Sequence, residues 1–352
     1  MDREILALAD IPPEAYDCID AYENNNNEYM EALLDVLCKV PEAVRRMEAQ
    51  KIPYSIIKDT FADIGLWVRR CKRQQGYFGL ADPSPDWLKN HLACKIFRVG
   101  RFQCIPRYFP ADWNVRFYRN NETGRVIAVT AGDVDFRKDG QINGTSGIFA
   151  DADGFKGYFT EKQLDGKATA EGIIISPAGH AENKSIVLDL KKWTNVLKEG
   201  MPVLELHIPV DGDFTIETCH NTLNDMVNFA KVHEAALTQL TGVKGPLTAF
   251  TLSSWLLNAQ LDGILPETSR LVQHLRQYYL LPVLSGEDNE LFWIFDGKKI
   301  DLDNIGPEEQ QTSLQRRIVQ FIRDGGKVRY NRGVILFKDA PEFGNELYRR
   351  DQ

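Results

Sequence analysis

The stretch that most constrains this chain runs from Val203 to Val232. It opens VLELHIPV, whose alternation puts Val203, Glu205 and His207 on one face of a strand and Leu204, Leu206 and Ile208 on the other. Pro209 has no backbone N–H, so pairing with a neighbouring strand is expected to fail there. A short loop, DGDF, leads to Thr215, a suitable helix N-cap, with Glu217 placed to complement the positive end of the helix. From there Ile216, Cys219, Leu223, Met226, Val227 and Ala230 recur at helical spacing. A strand, a break in its pairing and a helix start aimed at the break make a place where backbone N–H groups can receive an anion.

The bulk numbers exclude several classes of function. A formal net charge of −8, with no long Lys/Arg stripe to offset it, argues against nucleic acid as a partner and gives no pull toward anionic membranes. No apolar run approaches the roughly 20 residues needed to span a bilayer. The first residues carry charges and include Asp10, so no secretory leader is expected and a cytoplasmic location is. The six cysteines form no CxxC pair, which points to reduced, buried thiols and to no metal site.

Residues 1 to about 93 read as helical. Asn24–Asn27 is a polar loop, Glu28–Val40 a helix, and Pro41 is expected to start another. Tyr54 to Cys71 has the clearest period, through Ile56, Ile57, Phe61, Ile64, Trp67 and Val68, and Gly76 and Gly79 end it. A short helix then carries Trp87, Leu88, His91 and Leu92, where His91 reads as a packed histidine on an apolar face. From Lys95 the texture turns to strands. Residues 95–106 alternate around Gly100, which suggests a bulge or a close backbone approach. A hairpin around Gly124 follows, residues 140–170 are expected to loop out with a turn at Asp151–Gly154, and strands are expected at 172–177 and 185–190. Trp193–Leu197 reads as a helical turn, 247–257 and 290–296 as strands, Leu271 to Tyr279 and a Pro307 start as helices, and 328–337 as a last strand.

That order of elements resembles the GNAT N-acyltransferase superfamily. The strings FRVGRFQ (97–103), LELHIPVDGDFT (204–215), FTLSSWLLNAQLDGILP (250–266) and SLQRRIVQFIRDGG (313–326) are similar to a bacterial family that joins an N-terminal acyltransferase-like domain to a GNAT-like C-terminal domain. The resemblance implies an α+β or α/β fold, a GNAT-like mixed, mostly antiparallel sheet flanked by helices after a helical N-terminal region. It implies an acyltransferase-like domain over 1–150 and a GNAT-like domain over 151–352. It also implies acetyl-CoA or a longer acyl-CoA lying where the strand 203–210 splays from the next, its pyrophosphate at the helix start. Ile208, Pro209, Val210, Gly212, Phe214, Thr215 and Trp255 are then the cofactor-binding positions. The acceptor is a small-molecule amine and the protein a monomer or homodimer.

An amine must shed a proton as it attacks a thioester, and Glu205 and His207, i and i+2 on one strand face and about 7 Å apart, are the candidate bases. Ordinary packing of His207 and a solvated Glu205 are the plain alternative. Arg101 and Gln103 beside Gly100, with Ser254, are candidates for holding substrate, against a surface role. Cys219 lies on the apolar face, which favours burial over nucleophilic attack. The superfamily's phosphate loop reads Gln/Arg-x-x-Gly-x-Gly/Ala, whereas Val210–Phe214 has one glycine and two acids, Asp211 and Asp213. Acids there repel a pyrophosphate unless they are otherwise engaged, and this favours a second reading, a non-catalytic ligand-binding or interaction protein that keeps the fold without CoA.

Overall fold

The computed structural model describes residues 1–22, 27–150, 152–164, 166–295, 297, 300–301 and 304–350. Positions 24–26 of the expected polar loop, Asp151 of the expected turn, and Asp296 lie outside the described residues. The chain divides into two compact units, Met1–Arg107 with Leu204–Leu247, and Tyr108–Val203 with Thr248–Gln352.

The first unit begins with helices, as the apolar periods require. Pro41 does not start a helix. It lies inside one, Glu28–Ala49. A proline removes one helical hydrogen bond, and the buried row Leu33, Val36, Leu37, Val40, Ala43 and Met47 on both sides of it holds the helix together. The long period from Tyr54 is in turn two helices, Tyr54–Phe61 and Asp63–Gln75, which meet at Ala62. The break puts Asp63 in the first turn of the second helix, and Gly76 at φ 78° closes that helix as a left-handed cap. Helix Ser84–Leu92 follows.

Residues 95–106 are not one strand but a hairpin, Phe97–Val99 against Phe102–Tyr108, with Val99 opposite Phe102. Gly100 sits in its turn at φ 57°. The close approach expected there is real: a Cβ on Gly100 would stand 2.7 Å from Thr222 Oγ1. That oxygen also accepts a hydrogen bond from the Arg101 backbone at 3.0 Å. The strand Phe102–Tyr108 neighbours Pro202–His207, which stops two residues short of Pro209. The helix that follows is Ile216–Val232, and the Thr215 hydroxyl caps it by accepting from the Thr218 backbone at 3.2 Å. Its inner face is Cys219, Thr222, Leu223, Met226, Phe229 and Ala230.

The second unit is mostly antiparallel sheet. One sheet runs Trp193–Leu197, Val115–Asn120, Val126–Thr130, Lys167–Ser176, Phe159–Leu164, with His180–Asp189 also paired to Lys167–Ser176. Ala249–Ser254 and Tyr279–Leu281 flank Asn331–Leu336 in another set of antiparallel pairs. A single core of Phe117, Ala128, Ile175, Tyr279, Val334 and Leu336 fills the space between these faces. Several expectations are corrected here. Trp193–Leu197 is a strand, because its Trp, Thr and Val suit a pleated surface and it has Val115–Asn120 to pair with. The glycine-rich region 140–170 contains the strands Phe155–Gly157 and Phe159–Leu164. Residues 290–294 of the expected strand belong to a helix, Glu287–Ile294, where buried Leu291 and Ile294, with Phe295 at the C-cap, show three- and four-residue spacing rather than alternation. Tyr279 leaves the helix Arg270–Leu275 for a strand, Trp255 lies in a 3₁₀ turn after Ser254, and Pro307 starts only a 3₁₀ turn, the helix proper being Ser313–Arg323 with Thr312 as cap.

Gly100→Ala should destabilise the protein by about 2 kcal/mol, through the left-handed φ and the contact with Thr222. Urea unfolding with an unchanged m-value would read this, and an unaltered midpoint would contradict it.

Candidate functional site

Two groups of residues in the first unit carry chemistry. One is the loop between strand and helix. Residues Ile208 to Thr215 leave the sheet at His207, with Pro209 buried and Val210 exposed, and Gly212 takes φ 83° at the crest. The first helical turn has no carbonyls behind it to receive the N–H groups of Ile216 and Glu217. The two acids of the loop are already engaged. Arg98 Nη2 donates to Asp211 Oδ2 at 2.9 Å. Asp213 Oδ2 accepts from the hydroxyls of Thr215 at 2.9 Å and Thr218 at 3.0 Å.

Arg101 stands beside this loop. Its guanidinium lies 5.4 Å from the Phe214 ring centroid, and a Cβ on Gly212 would be 3.5 Å from its Cδ. The residue is only 7% exposed, and its Nε and Nη1 make no hydrogen bond among the described residues. Burial pulls its proton affinity below the ordinary value, against the opposing pull of Asp211 and Asp213. A buried guanidinium lacking hydrogen-bond partners is costly, so this position favours an arriving anion.

The other group centres on Asp63. Its Oδ2 accepts from Trp87 Nε1 at 3.0 Å and Trp67 Nε1 at 3.2 Å, and lies 3.1 Å from His91 Nε2. The Gln103 amide nitrogen is 3.5 Å from that same ring nitrogen. Burial alone would raise the Asp63 carboxyl. The hydrogen bonds from His91, Gln103 and Trp87 and the electrostatic pull of His91 outweigh it and hold the carboxyl below its ordinary value. Gln103 is therefore a core residue at this carboxylate, while Arg101, two positions earlier, is at the loop.

His207 joins this group from the neighbouring strand. Its ring meets Trp87 edge to face, with centroids 4.7 Å apart and planes at 65°. About a quarter of the side chain (28%) is exposed, yet Nε2 is buried without a hydrogen-bond partner, 3.9 Å from Glu205 Oε2. Glu205 is ion-paired with Arg107. Desolvation first, then the electrostatic influence of Arg107 and His91, push the His207 imidazole down to about 4 against a weaker opposing pull from Asp63. The ring is thus neutral at neutral pH. Cys219 is fully buried, and burial pushes its thiol up to about 12, which removes it as a nucleophile.

Of the candidates, His207, Glu205, Arg101, Gln103 and the loop 208–215 all fall in the first unit, whereas Ser254 and Trp255 belong to the second. There Ser254 Oγ accepts from the Leu256 backbone at 3.2 Å and Trp255 is half-buried. The second unit also holds a cavity of about 890 Å³, lined among others by Arg119, Arg125, His180, Lys184 and Trp193, none of them singled out by sequence. Sequence reading missed Asp63 and Trp87. A signal was present, since Asp63 sits four residues before Trp67 within an apolar helical stripe, where a charge needs a buried partner.

Residues 96–335 match the family described as the GNAT-like C-terminal domain. The chain belongs to that family. Residues 2–94 match the N-acyltransferase N-terminal domain. Comparison with curated proteins gives no match. Among solved structures the fold is similar to an acyltransferase in complex with CoA and 10C-teicoplanin, at 15% identity over 95% of this chain and 87% of that one, with a TM-score of 0.56. It is likewise similar to an acyltransferase in complex with decanoyl-CoA, at 17% identity over 95% and 86%, with a TM-score of 0.56. The shared architecture is the mixed, mostly antiparallel one expected. Among the described residues no helix is long and apolar enough to cross a membrane.

The GNAT-like chain's His207 takes up a proton more readily unfolded, near 6.5, than folded, near 4. Its neutral burial therefore contributes stability above about pH 6.5 that is lost as pH falls toward about 4. Denaturant unfolding of the native protein and His207→Gln across that window should show the native protein losing more stability. Parallel curves would contradict the burial described.

Proposed function

We propose that this protein transfers an acyl group from acyl-CoA to a small-molecule amine, with His207 as the base. The observation that carries the reading is Arg101, a buried cation with partnerless nitrogens beside the start of helix Ile216–Val232. An anion there meets a guanidinium and the open N–H groups of the first turn together. The acids Asp211 and Asp213, which on sequence spoke against a phosphate, are held by Arg98 and by the capping hydroxyls. The similar solved structures, one with CoA and 10C-teicoplanin and one with decanoyl-CoA, support the choice of ligand.

In this reading Arg101, Gly212, Phe214, Thr215 and the first helical turn hold the pyrophosphate, and Ile208, Pro209 and Val210 line the path from it to His207. Bound acyl-CoA supplies the acyl group as an activated thioester. With its proton on Nε2, the buried nitrogen 3.9 Å from Glu205, the imidazole would offer Nδ1 to the amine. A base of such low proton affinity is mismatched to a free ammonium. It suits the far more acidic nitrogen formed once a neutral amine has bonded to the carbonyl carbon. His207 takes that proton as the amide forms, and can return it to the departing thiol sulfur. Glu205, ion-paired with Arg107, stands 3.9 Å from Nε2, beyond hydrogen-bond reach, and leaves the proton transfer to His207.

Acetyl-CoA and longer acyl-CoAs should raise the thermal midpoint, because a ligand that binds only the folded state stabilises it. Arg101→Gln should weaken that binding about tenfold or more, by loss of charge-assisted hydrogen bonds. His207→Ala should keep the midpoint shift and lower turnover by about two to four orders of magnitude. No shift at millimolar acyl-CoA would overturn the enzyme reading in favour of the non-catalytic one, and full turnover in His207→Ala would remove the base.

A further inference from the structure

We infer that Trp87, clamped by the Asp63 carboxylate, is a positioning residue that fixes the orientation of the His207 ring and shields it from water. The inference deepens the proposed function and rests on His207 being its base. Trp87 and His91 lie four residues apart on helix Ser84–Leu92, so both face the same side. Asp63 receives both, Trp87 Nε1 at 3.0 Å and His91 Nε2 at 3.1 Å. The carboxylate is itself buried and further fixed by Trp67 from its own helix at 3.2 Å. An indole held at its N–H cannot rotate or slide without breaking that bond, and its ring is what His207 packs against at 4.7 Å.

The groups that face His207 come from four elements. Glu205 is on its own strand, Arg107 on the neighbouring strand, His91 on the helix of Trp87, and Asp63 on the helix Asp63–Gln75. The direct field of Asp63 favours a charged His207, whereas those of Arg107 and His91 oppose it. Removing Trp87 deletes none of these charged groups, and loss of the hydrogen bond it donates to Asp63 would raise that carboxyl and so weaken its pull toward a charged His207. The removal admits water to the ring and reverses the desolvation that dominates. A rise in the His207 midpoint on substitution of Trp87 therefore reports lost shielding, since the change at Asp63 acts in the opposite direction.

The test is a titration of the His207 ring resonances by NMR in the full chain, which needs no turnover. In the native protein they should titrate near 4. In Trp87→Ala the midpoint should rise by about one pH unit or more, toward the ordinary histidine value. Trp87→Phe, which keeps an aromatic wall but loses the N–H clamp, should shift less in the same direction, and it decides the matter if the alanine variant does not fold. The acid limb of the rate profile should move with the titration. An unmoved His207 midpoint in the folded variant overturns the inference, whatever the activity. A shifted midpoint in a protein that transfers no acyl group upholds it and counts against the proposed function alone.

Discussion

A single carboxylate organises the side of the first unit that holds His207. Asp63 is buried, and burial of a charge is tolerated only where donors replace the water it loses. Two indole N–H groups and one imidazole converge on it, from its own helix and from helix Ser84–Leu92, with the Gln103 amide close by. Each donor is thereby fixed in place, since an unmet donor beside a buried carboxylate would cost roughly 1–3 kcal/mol. The helix break at Ala62, which a continuous apolar period does not announce, brings the carboxylate to the first turn of its helix. There the positive end of the helix adds to the same stabilisation.

The loop from Ile208 to Thr215 shows the same economy. Its shape invites an anion and its sequence carries two acids. The hairpin Phe97–Tyr108 engages one acid from outside the loop, because its turn at Gly100 places Arg98 against Asp211 and Arg101 beside Phe214, while Asp213 is held by the hydroxyls of Thr215 and Thr218. Gly100 is required because the turn lies directly against Thr222 on the helix. One guanidinium is consumed by neutralising an acid, and the other keeps two nitrogens without partners. The loop has fewer glycines than the superfamily's phosphate loop, and the hairpin sets two guanidiniums beside it.

Much of this was legible in the residues. The stop of the strand before Pro209, the Thr215 cap and the inward row of the following helix are local chemistry, set within a few positions of each other. The hairpin turn was half legible: Gly100 signalled a close approach, but which element approached depends on a residue about 120 positions away, Thr222. Asp63 was illegible as a hub because its partners are two tryptophans and a histidine that each read as core on their own. The strands at 155–164 and 193–197 were missed for a related reason. Their pairing partners decide them more than their composition does.

Asp63 is an ionised carboxylate whose Oδ2 holds Trp87 and His91 in place. The most direct measurement is the carboxyl ¹³C shift of Asp63 followed through acid pH in the folded protein. The account predicts that it remains ionised below 3.8, where an exposed aspartate is half protonated. Protonation above that value would mean that burial outweighs the hydrogen bonds, and it would contradict the account.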